Sequence, residues 1–471
     1  VEREASDLEA LKRRAAGVIG VVGSGTMGSG IAQLACKAGA RTLLYDPLPE
    51  ALERGAGRVL LGLNKEVSKG KLTAEQAREA GERLEPVEEL ERLDSCELVI
   101  EAAPERLDIK HDLYAHLSRI VSEECVLASN TSSLPITAIA AGATHPERVV
   151  GMHFFNPAPL MRLLEVIGGV LSDERSLALA RATAMAMGKD VIRAADVPGF
   201  IVNRCNRPFG LEALRLLQEK IADVETIDRI VRIGGRFRMG PFELSDLVGV
   251  DTGFDVSKSF YELSFGEPRW RPSPIQAQRV AAGLHGRKSG RGYYDYTGNG
   301  PHRPADPDPP AATGDAIVDG DGPVADALRA LATGASGPRI TVEGLGGTVE
   351  GEPFHAIVPL KLVEVTGDAG EAAFKGLGLH TERVQSAPGG VLARIVCQVI
   401  NESAFALGEG VGSAKDIDKG MMLGLSHPRG PFAWMDQLGG AHVLGTLETL
   451  SDAYREERYR PAPALRRLAR S

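Results

Sequence analysis

Residues Gly17–Asp46 read GVIGVVGSGTMGSGIAQLACKAGARTLLYD. An apolar run, Val18–Val22, enters Gly23-Ser-Gly25-Thr-Met-Gly28, and a segment of helical apolar spacing, Ile31–Lys37, follows. A second apolar run, Arg41–Tyr45, ends on Asp46. A lone GxGxxG arises by chance in glycine turns. Here it stands between a predicted strand and a predicted helix, with an acid about 20 residues on, the context that dinucleotide binding requires. Gly23 permits the tight turn, Gly25 lets backbone approach a pyrophosphate, and Gly28 lets helix and strand pack. The helix N-terminus then faces the phosphates. Asp46 would accept hydrogen bonds from the adenosine ribose and repel a 2′-phosphate, which favours NAD over NADP. Gly23, Gly25, Thr26, Met27, Gly28 and Asp46 are the first candidate cofactor-binding residues. The alternative is a glycine turn in an α/β protein that holds no nucleotide.

Further strands are predicted within Cys96–Glu105, Cys125–Ser133 and Arg148–Pro157, with helical spacing over Leu107–Val121. Alternation of this kind predicts a doubly wound parallel sheet. Ligands in such sheets sit beyond the carboxyl ends of the strands. Glu105, Asn130, Ser132, His153 and Asn156 cluster there, although strand ends also collect polar residues simply on leaving the core. Glu165 lies inside the apolar run LLEVI, where a carboxylate wants a partner. A His153 whose Nδ1–H met that carboxylate would present Nε2 as a base. A structural hydrogen bond, or no contact, fits the spacing equally well.

Length bounds the rest. A chain of 471 residues exceeds one ordinary core, so two to four domains are expected. A net charge of -9 argues against a general nucleic-acid surface. The five cysteines form no CxxC pair, no metal is expected, and a reducing cytoplasm fits best. Ala15–Cys36 carries no charge but is interrupted by Gly20, Gly23, Gly25, Gly28 and Gly30, so it reads as strand and turn, not as a membrane span. The opening VEREASDLEALKRRAA lacks a signal-peptide core.

GVVGSGTMGSGIAQ, SNTSSLPIT, GMHFFNPAPLMRLLEVI, DVPGFIVNR, MGPFELSDLVGVD and GRKSGRGYYDY stand in this order over roughly residues 17–296. Together they resemble the L-3-hydroxyacyl-CoA dehydrogenases, and the longer chain resembles their fused bacterial form, which acts on 3-hydroxyadipyl- or 3-hydroxybutyryl-CoA. The resemblance implies oxidation of a (3S)-3-hydroxyacyl-CoA to the 3-oxoacyl-CoA with NAD, in fatty-acid β-oxidation or phenylacetate-type degradation. It implies His153 as general base, Glu165 as its orienting carboxylate, Ser132 on the substrate hydroxyl and Asn203 completing the polar set. It places Glu105, Lys110 and Asn130 on the cofactor side and Asn156 in support of the His–Glu geometry. Lys69, in NKEVSKGKLTAEQ, becomes a candidate for the CoA phosphates. An NAD-binding structural or sensor protein on the same fold, or another hydroxyacid dehydrogenase, is the competing reading.

Beyond Asp196 the pattern is helical, through Val224–Ile233 and Pro241–Ser264, and Tyr296–Gly314 reads as a linker. A repeat then declares itself at an offset of 190: VPGFIVNR at 197–204 returns as APGGVLAR at 387–394, and GPFELSDLVG at 240–249 as GPFAWMDQLG at 430–439. Asn203 is replaced by Ala393, so one active site per chain is expected. The domains expected are a Rossmann-like NAD-binding domain (1–196), a first helical domain for substrate and dimerisation (197–297), a linker with a possible degenerate α/β remnant (298–386), and a second helical repeat (387–471). LVEVTGD (362–368) resembles LLEVIGG (163–169), which motivates the remnant. The second repeat would pack on the first as an intrachain pseudo-dimer, if the chain is not a homodimer. An acyl-CoA is the expected partner, with no nucleic acid and no membrane.

Overall fold

The computed structural model describes residues 17–298 and 300–470, so the charged opening segment lies outside the described residues. The chain forms two compact units, one ending at Ile201 and taking in Val411–Asp416, the other spanning Val202–Gly410 and resuming at Ile417.

The first unit is built on eight strands: β1 Val18–Val22, β2 Arg41–Tyr45, β3 Leu84–Val87, β4 Leu98–Glu101, β5 Val126–Ser129, β6 Val149–Phe154, β7 Leu163–Gly168 and β8 Asp190–Ala195. Their order is β3-β2-β1-β4-β5-β6-β7-β8. Strands β1 to β6 are mutually parallel, β7 pairs antiparallel with β6, and β8 runs parallel to β7. Helices cover both faces, so the inner strands are mostly apolar, with Glu101, Ser129, His153 and Glu165 as the polar exceptions. Ile19, Val21, Ile100, Ala128 and Val150 form the centre of this core with Ile31 and Leu34 of the helix Thr26–Lys37. The strand order reverses between β1 and β4, which opens a crevice at their carboxyl ends. Strands β1 and β2 match the sequence reading residue for residue, while the later ones are shorter than predicted. β3 escaped prediction because it is a four-residue edge strand containing Pro86, a residue tolerated there and not in a central strand.

The second unit holds both helical repeats and a second sheet. The first repeat comprises the helices Val202–Cys205, Arg207–Gln218, Val224–Arg229, Pro241–Val248 and Val250–Leu263. The predicted run Pro241–Ser264 is thus two helices, because Gly249 stands between them at φ +105°. The predicted linker has no regular structure, yet it is fastened to this repeat: His302 bonds Glu243 at 2.8 Å and Asp306 pairs with Arg232 at 2.6 Å. The second sheet comprises β9 Ile317–Asp319, β10 Arg339–Glu343, β11 Gly346–Val349, β12 Glu352–His355, β13 Leu362–Val365 and β14 His380–Arg383, in the order β14-β13-β12-β11-β10-β9.

The second repeat is centred on the helix Leu392–Gly408, which packs against Arg207–Gln218. Two crossed sets of ion pairs join the repeats. Arg204 pairs with Glu402 at 2.9 Å and Glu409 at 2.7 Å, while Arg394 pairs with Glu212 at 2.7 Å and Glu219 at 2.9 Å. Each residue of one set lies 190 positions from its counterpart in the other, so the contact is pseudo-twofold. Both arginines are fully buried, as such pairs allow only when the partner charge is present. Among the described residues no helix is long and apolar enough to cross a membrane.

Candidate active site

The glycine turn is shaped by contacts that only glycine permits. Gly23, at φ +93°, would place a Cβ 2.6 Å from the Ala102 carbonyl, and its N–H donates to Tyr45 O at 2.8 Å. A Cβ on Gly28 would overlap the Gly23 carbonyl oxygen, so helix and turn could not close. Gly25 differs: nothing lies within 4 Å of a Cβ built there, and Gly25 and Thr26 form an exposed face at the start of the helix, with Met27 half-buried behind them. That open backbone at a helix N-terminus is a cradle for a diphosphate. Asp46, at the end of β2, is held toward the turn by Ser24, whose N–H donates at 2.8 Å and whose Oγ lies at 2.9 Å. Each carboxylate oxygen accepts more than one donor, so Asp46 keeps capacity for ribose hydroxyls. The residues present fit a bound NAD.

At the ends of β4 and β5 a carboxylate that the sequence reading missed organises the site. Glu101 is buried and receives Lys110 Nζ at 2.5 Å, Ser129 Oγ at 2.6 Å and Ala103 N at 2.6 Å. Lys110 is only 1% exposed and also lies 3.4 Å from Glu105, so the geometry gives it an interior role, holding two carboxylates, in place of the expected cofactor contact. A glutamate ending the apolar run LVIE, nine residues before a lysine, was the available signal. Glu105 in turn gathers the SNTSS turn, accepting from Thr131 Oγ1 at 2.6 Å, Ser132 N at 3.0 Å and Ser133 Oγ at 3.0 Å. Burial pushes the Glu105 carboxyl up, but the Thr131 bond, the Lys110 charge and the serine donors outweigh it and hold it below the usual carboxylate range. Ser132 is thereby presented with its hydroxyl exposed and without a partner among the described residues. Asn130 accepts from Phe154 N at 2.8 Å and ties β5 to β6 beside His153.

His153 and Glu165 face each other across the antiparallel β6–β7 pair. His153 Nδ1 lies 2.7 Å from Glu165 Oε2, and Ile201 N donates to Glu165 Oε1 at 3.0 Å. Glu165 is wholly inaccessible and His153 is 5% exposed, with Phe155 and Phe200 rings at 4.5 and 5.9 Å. A carboxylate so buried and bonded fixes the imidazole tautomer, leaving Nε2 as the available acceptor. Asn156 does not join this pair. It is exposed, precedes a cis proline, and makes no hydrogen bond to either residue, because the turn at Pro157 carries it outward. Lys69 caps the helix Pro49–Ser68, exposed and without an ion pair among the described residues. Asn203 belongs to the second unit, in the short helix Val202–Cys205.

The second half repeats this arrangement in altered form. His355 stands opposite Glu364 across the antiparallel β12–β13 pair, and β14 runs parallel to β13, as β8 does to β7. Glu364, however, spends its oxygens on Val391 N at 2.6 Å and Leu392 N at 2.8 Å, and His355 has no hydrogen bond among the described residues. Burial pushes the His355 imidazole down to about 4. Ala393 offers no polar side chain, and no glycine-rich dinucleotide turn precedes this sheet.

A nucleotide-binding doubly wound sheet with a carboxylate-held histidine at its carboxyl edge defines an NAD-dependent dehydrogenase. Comparison with known proteins agrees. Residues 18–197 match the family "3-hydroxyacyl-CoA dehydrogenase, NAD binding domain", and residues 199–296 and again 389–471 match "3-hydroxyacyl-CoA dehydrogenase, C-terminal domain". The chain is 39% identical to the 3-hydroxyadipyl-CoA dehydrogenase of Escherichia coli (strain K12), over 96% of this chain and 97% of that one. It is 41% identical to a probable 3-hydroxybutyryl-CoA dehydrogenase of Bacillus subtilis (strain 168), which covers 59% of this chain and 96% of the relative. A crystal structure of 3-hydroxybutyryl-CoA dehydrogenase from Escherichia coli K12 substr. MG1655 superposes with a TM-score of 0.84 at 37% identity, over 96% of this chain and 98% of that one. The chain belongs to the 3-hydroxyacyl-CoA dehydrogenase family, and its activity is NAD-dependent oxidation of 3-hydroxyacyl-CoA.

Proposed function

We propose that His153 is the general base of this oxidation and Glu165 its positioning partner, with Ser132 and Asn203 as hydrogen-bond partners of the substrate oxygens. The observation that carries the reading is the 2.7 Å His153–Glu165 contact, with the second Glu165 oxygen tied to backbone. In the proposed step Nε2 of His153 takes the C3 hydroxyl proton of a (3S)-3-hydroxyacyl-CoA, and a 3-oxoacyl-CoA is left. When bound, the nicotinamide accepts the hydride from C3. Glu165 stabilises the imidazolium as it forms, and the interior position of the pair keeps water from competing for the proton. Gly25, Thr26 and Asp46 hold the dinucleotide, while Glu101, Glu105 and Lys110 shape the turn that presents Ser132. Lys69 meets a CoA phosphate.

We further read residues 315–386 as a shortened copy of the sheet edge and 387–471 as a helical copy packed on the first, an intrachain pseudo-dimer with one active site. All five cysteines are buried and none is disulfide-bonded, which supports a reducing, cytoplasmic setting. The test is NADH formation with 3-hydroxyacyl-CoA substrates. His153→Ala should lower kcat by roughly 10²–10⁴. Glu165→Gln should also impair turnover while NAD affinity persists. Unchanged turnover in His153→Ala would remove the base assignment.

A further inference from the structure

Residues between Asn206 and Tyr293 line a half-open cavity of about 140 Å³ in the second unit. Arg207 lines it, half-buried. Its Nε donates to the Asn203 carbonyl at 3.2 Å, Nη1 lies 3.4 Å from Ser257 Oγ, and the guanidinium sits 4.9 Å above the Phe260 ring. No carboxylate lies within ion-pairing distance among the described residues, in contrast to the interior Arg204 and Arg394 of the same unit, each held by two glutamates. Burial, with no opposing charge, pushes the Arg207 guanidinium down to about 10. A guanidinium withdrawn from water without a counter-ion is unfavourable, and an incoming anion relieves it. The Tyr293 hydroxyl, also lining the cavity, is buried without a hydrogen-bond partner among the described residues and can donate to the same anion. Gln276 Oε1, unpartnered in the same wall, is an acceptor and contributes nothing to an anion.

Arg207 stands beyond Asn203 across the break at Asn206 between the two helices, and its Nε contact with the Asn203 carbonyl at 3.2 Å places the guanidinium beside that residue. In a six-carbon 3-hydroxydiacid the far carboxyl carbon lies three bonds beyond the hydroxyl-bearing carbon, about 4 Å at ~1.5 Å per bond. A butyryl chain ends in a methyl group short of that point and leaves the charge unpaired.

We propose that Arg207 is the specificity residue of this enzyme, pairing with the terminal carboxylate of a 3-hydroxydicarboxylyl-CoA whose acyl chain has six carbons. The proposal rests on the assignment of Asn203 to the substrate oxygens. The fork of the guanidinium receives the carboxylate side-on, Tyr293 donates from the wall, and the apolar lining accommodates the methylenes.

The experiment compares kcat/KM for 3-hydroxyadipyl-CoA and 3-hydroxyhexanoyl-CoA, which differ only in carboxylate against methyl at the chain end. The wild-type ratio should favour the diacid by about 10²-fold or more, because the site is left unpaired by the monoacid. Arg207→Met should reduce that ratio by about 10²-fold, and Arg207→Lys, which keeps the charge but not the fork, should give an intermediate ratio. A ratio unchanged in Arg207→Met overturns the proposal. So does an equal loss on both substrates, which would mark Arg207 as a contact to the CoA phosphates or to the fold. Asn203→Ala separates the underlying reading: if it leaves both rates intact while Arg207→Met shifts the ratio, the anchoring at Asn203 fails and the carboxylate role stands.

Discussion

Asp46 shows how one side chain can serve both structure and selectivity. It takes the Ser24 N–H and hydroxyl, which closes the glycine turn, and in the proposed dinucleotide site its negative charge would meet the second ribose hydroxyl. A 2′-phosphate at that point meets a like charge, and each ~1.4 kcal/mol of repulsion is a factor of ten. NADP should therefore be a poor substitute for NAD, and Asp46→Ala should raise the NADP-to-NAD ratio of kcat/KM at least tenfold. Equal use of the two nucleotides by the unaltered enzyme would contradict this role. At this scale the sequence was legible wherever local backbone geometry demanded a residue type. Gly23 and Gly28 stand where a Cβ would strike carbonyl groups, and a one-dimensional motif records that. His153 and Glu165 were legible as a candidate pair because a glutamate in an apolar strand needs a partner, while their contact stayed open until the β6–β7 register set it. Glu101 was not, because its donors come from β4, β5 and a helix that only the folded sheet brings together.

Among the elements, the β12–β13 pair has a measurable electrostatic character. Burial raises the Glu364 carboxyl to about 7, against the Leu392 and Val391 N–H bonds that oppose the rise. A carboxyl raised above its unfolded value near 4.5 contributes stability that is present below pH 4.5 and is lost as pH climbs through 7. His355, buried and shifted the other way, acts oppositely over part of this window, so the whole-protein curve is an unsuitable readout. The difference between wild type and Glu364→Gln isolates the carboxyl. Glu364→Gln should destabilise more at pH 5 than at pH 8, by on the order of 3 kcal/mol. Thermal midpoints at both pH values check this, and a pH-independent difference would rule it out. The likeness of LVEVTGD to LLEVIGG hinted at this strand. That a histidine lies opposite the glutamate in register did not show, because the intervening segment differs in length between the two copies, 12 residues from His153 to Glu165 and 9 from His355 to Glu364.

Over the molecule as a whole, the crossed arginine–glutamate sets make the two repeats interdependent. Removing one member of a buried set leaves a charge uncompensated, at about 3–5 kcal/mol. Glu402→Ala should therefore lower the unfolding midpoint strongly, and Glu212→Ala should do so somewhat less, since Glu402 also pairs with Arg269 at 3.1 Å while Glu212 pairs with Arg394 alone among the described residues. Glu448→Ala, which breaks the half-exposed pair with Arg466, should cost no more than about 1 kcal/mol. A small effect of either of the first two substitutions, no larger than that of Glu448→Ala, would show that the crossed sets do not hold the repeats together. The arginines were visible as aligned residues of VPGFIVNR and APGGVLAR. Their pairing was not, because Arg204 and Glu402 are 198 residues apart and nothing local betrays the crossing. These crossed sets also bear on heredity. When a symmetric contact joins two identical chains, every mutation strikes both of its ends together, and drift on one side cannot be tested alone. Here the two ends are encoded at separate places in one gene. A difference such as Asn203 against Ala393, or Phe200 against Gly390, therefore alters one copy and leaves the other as it was.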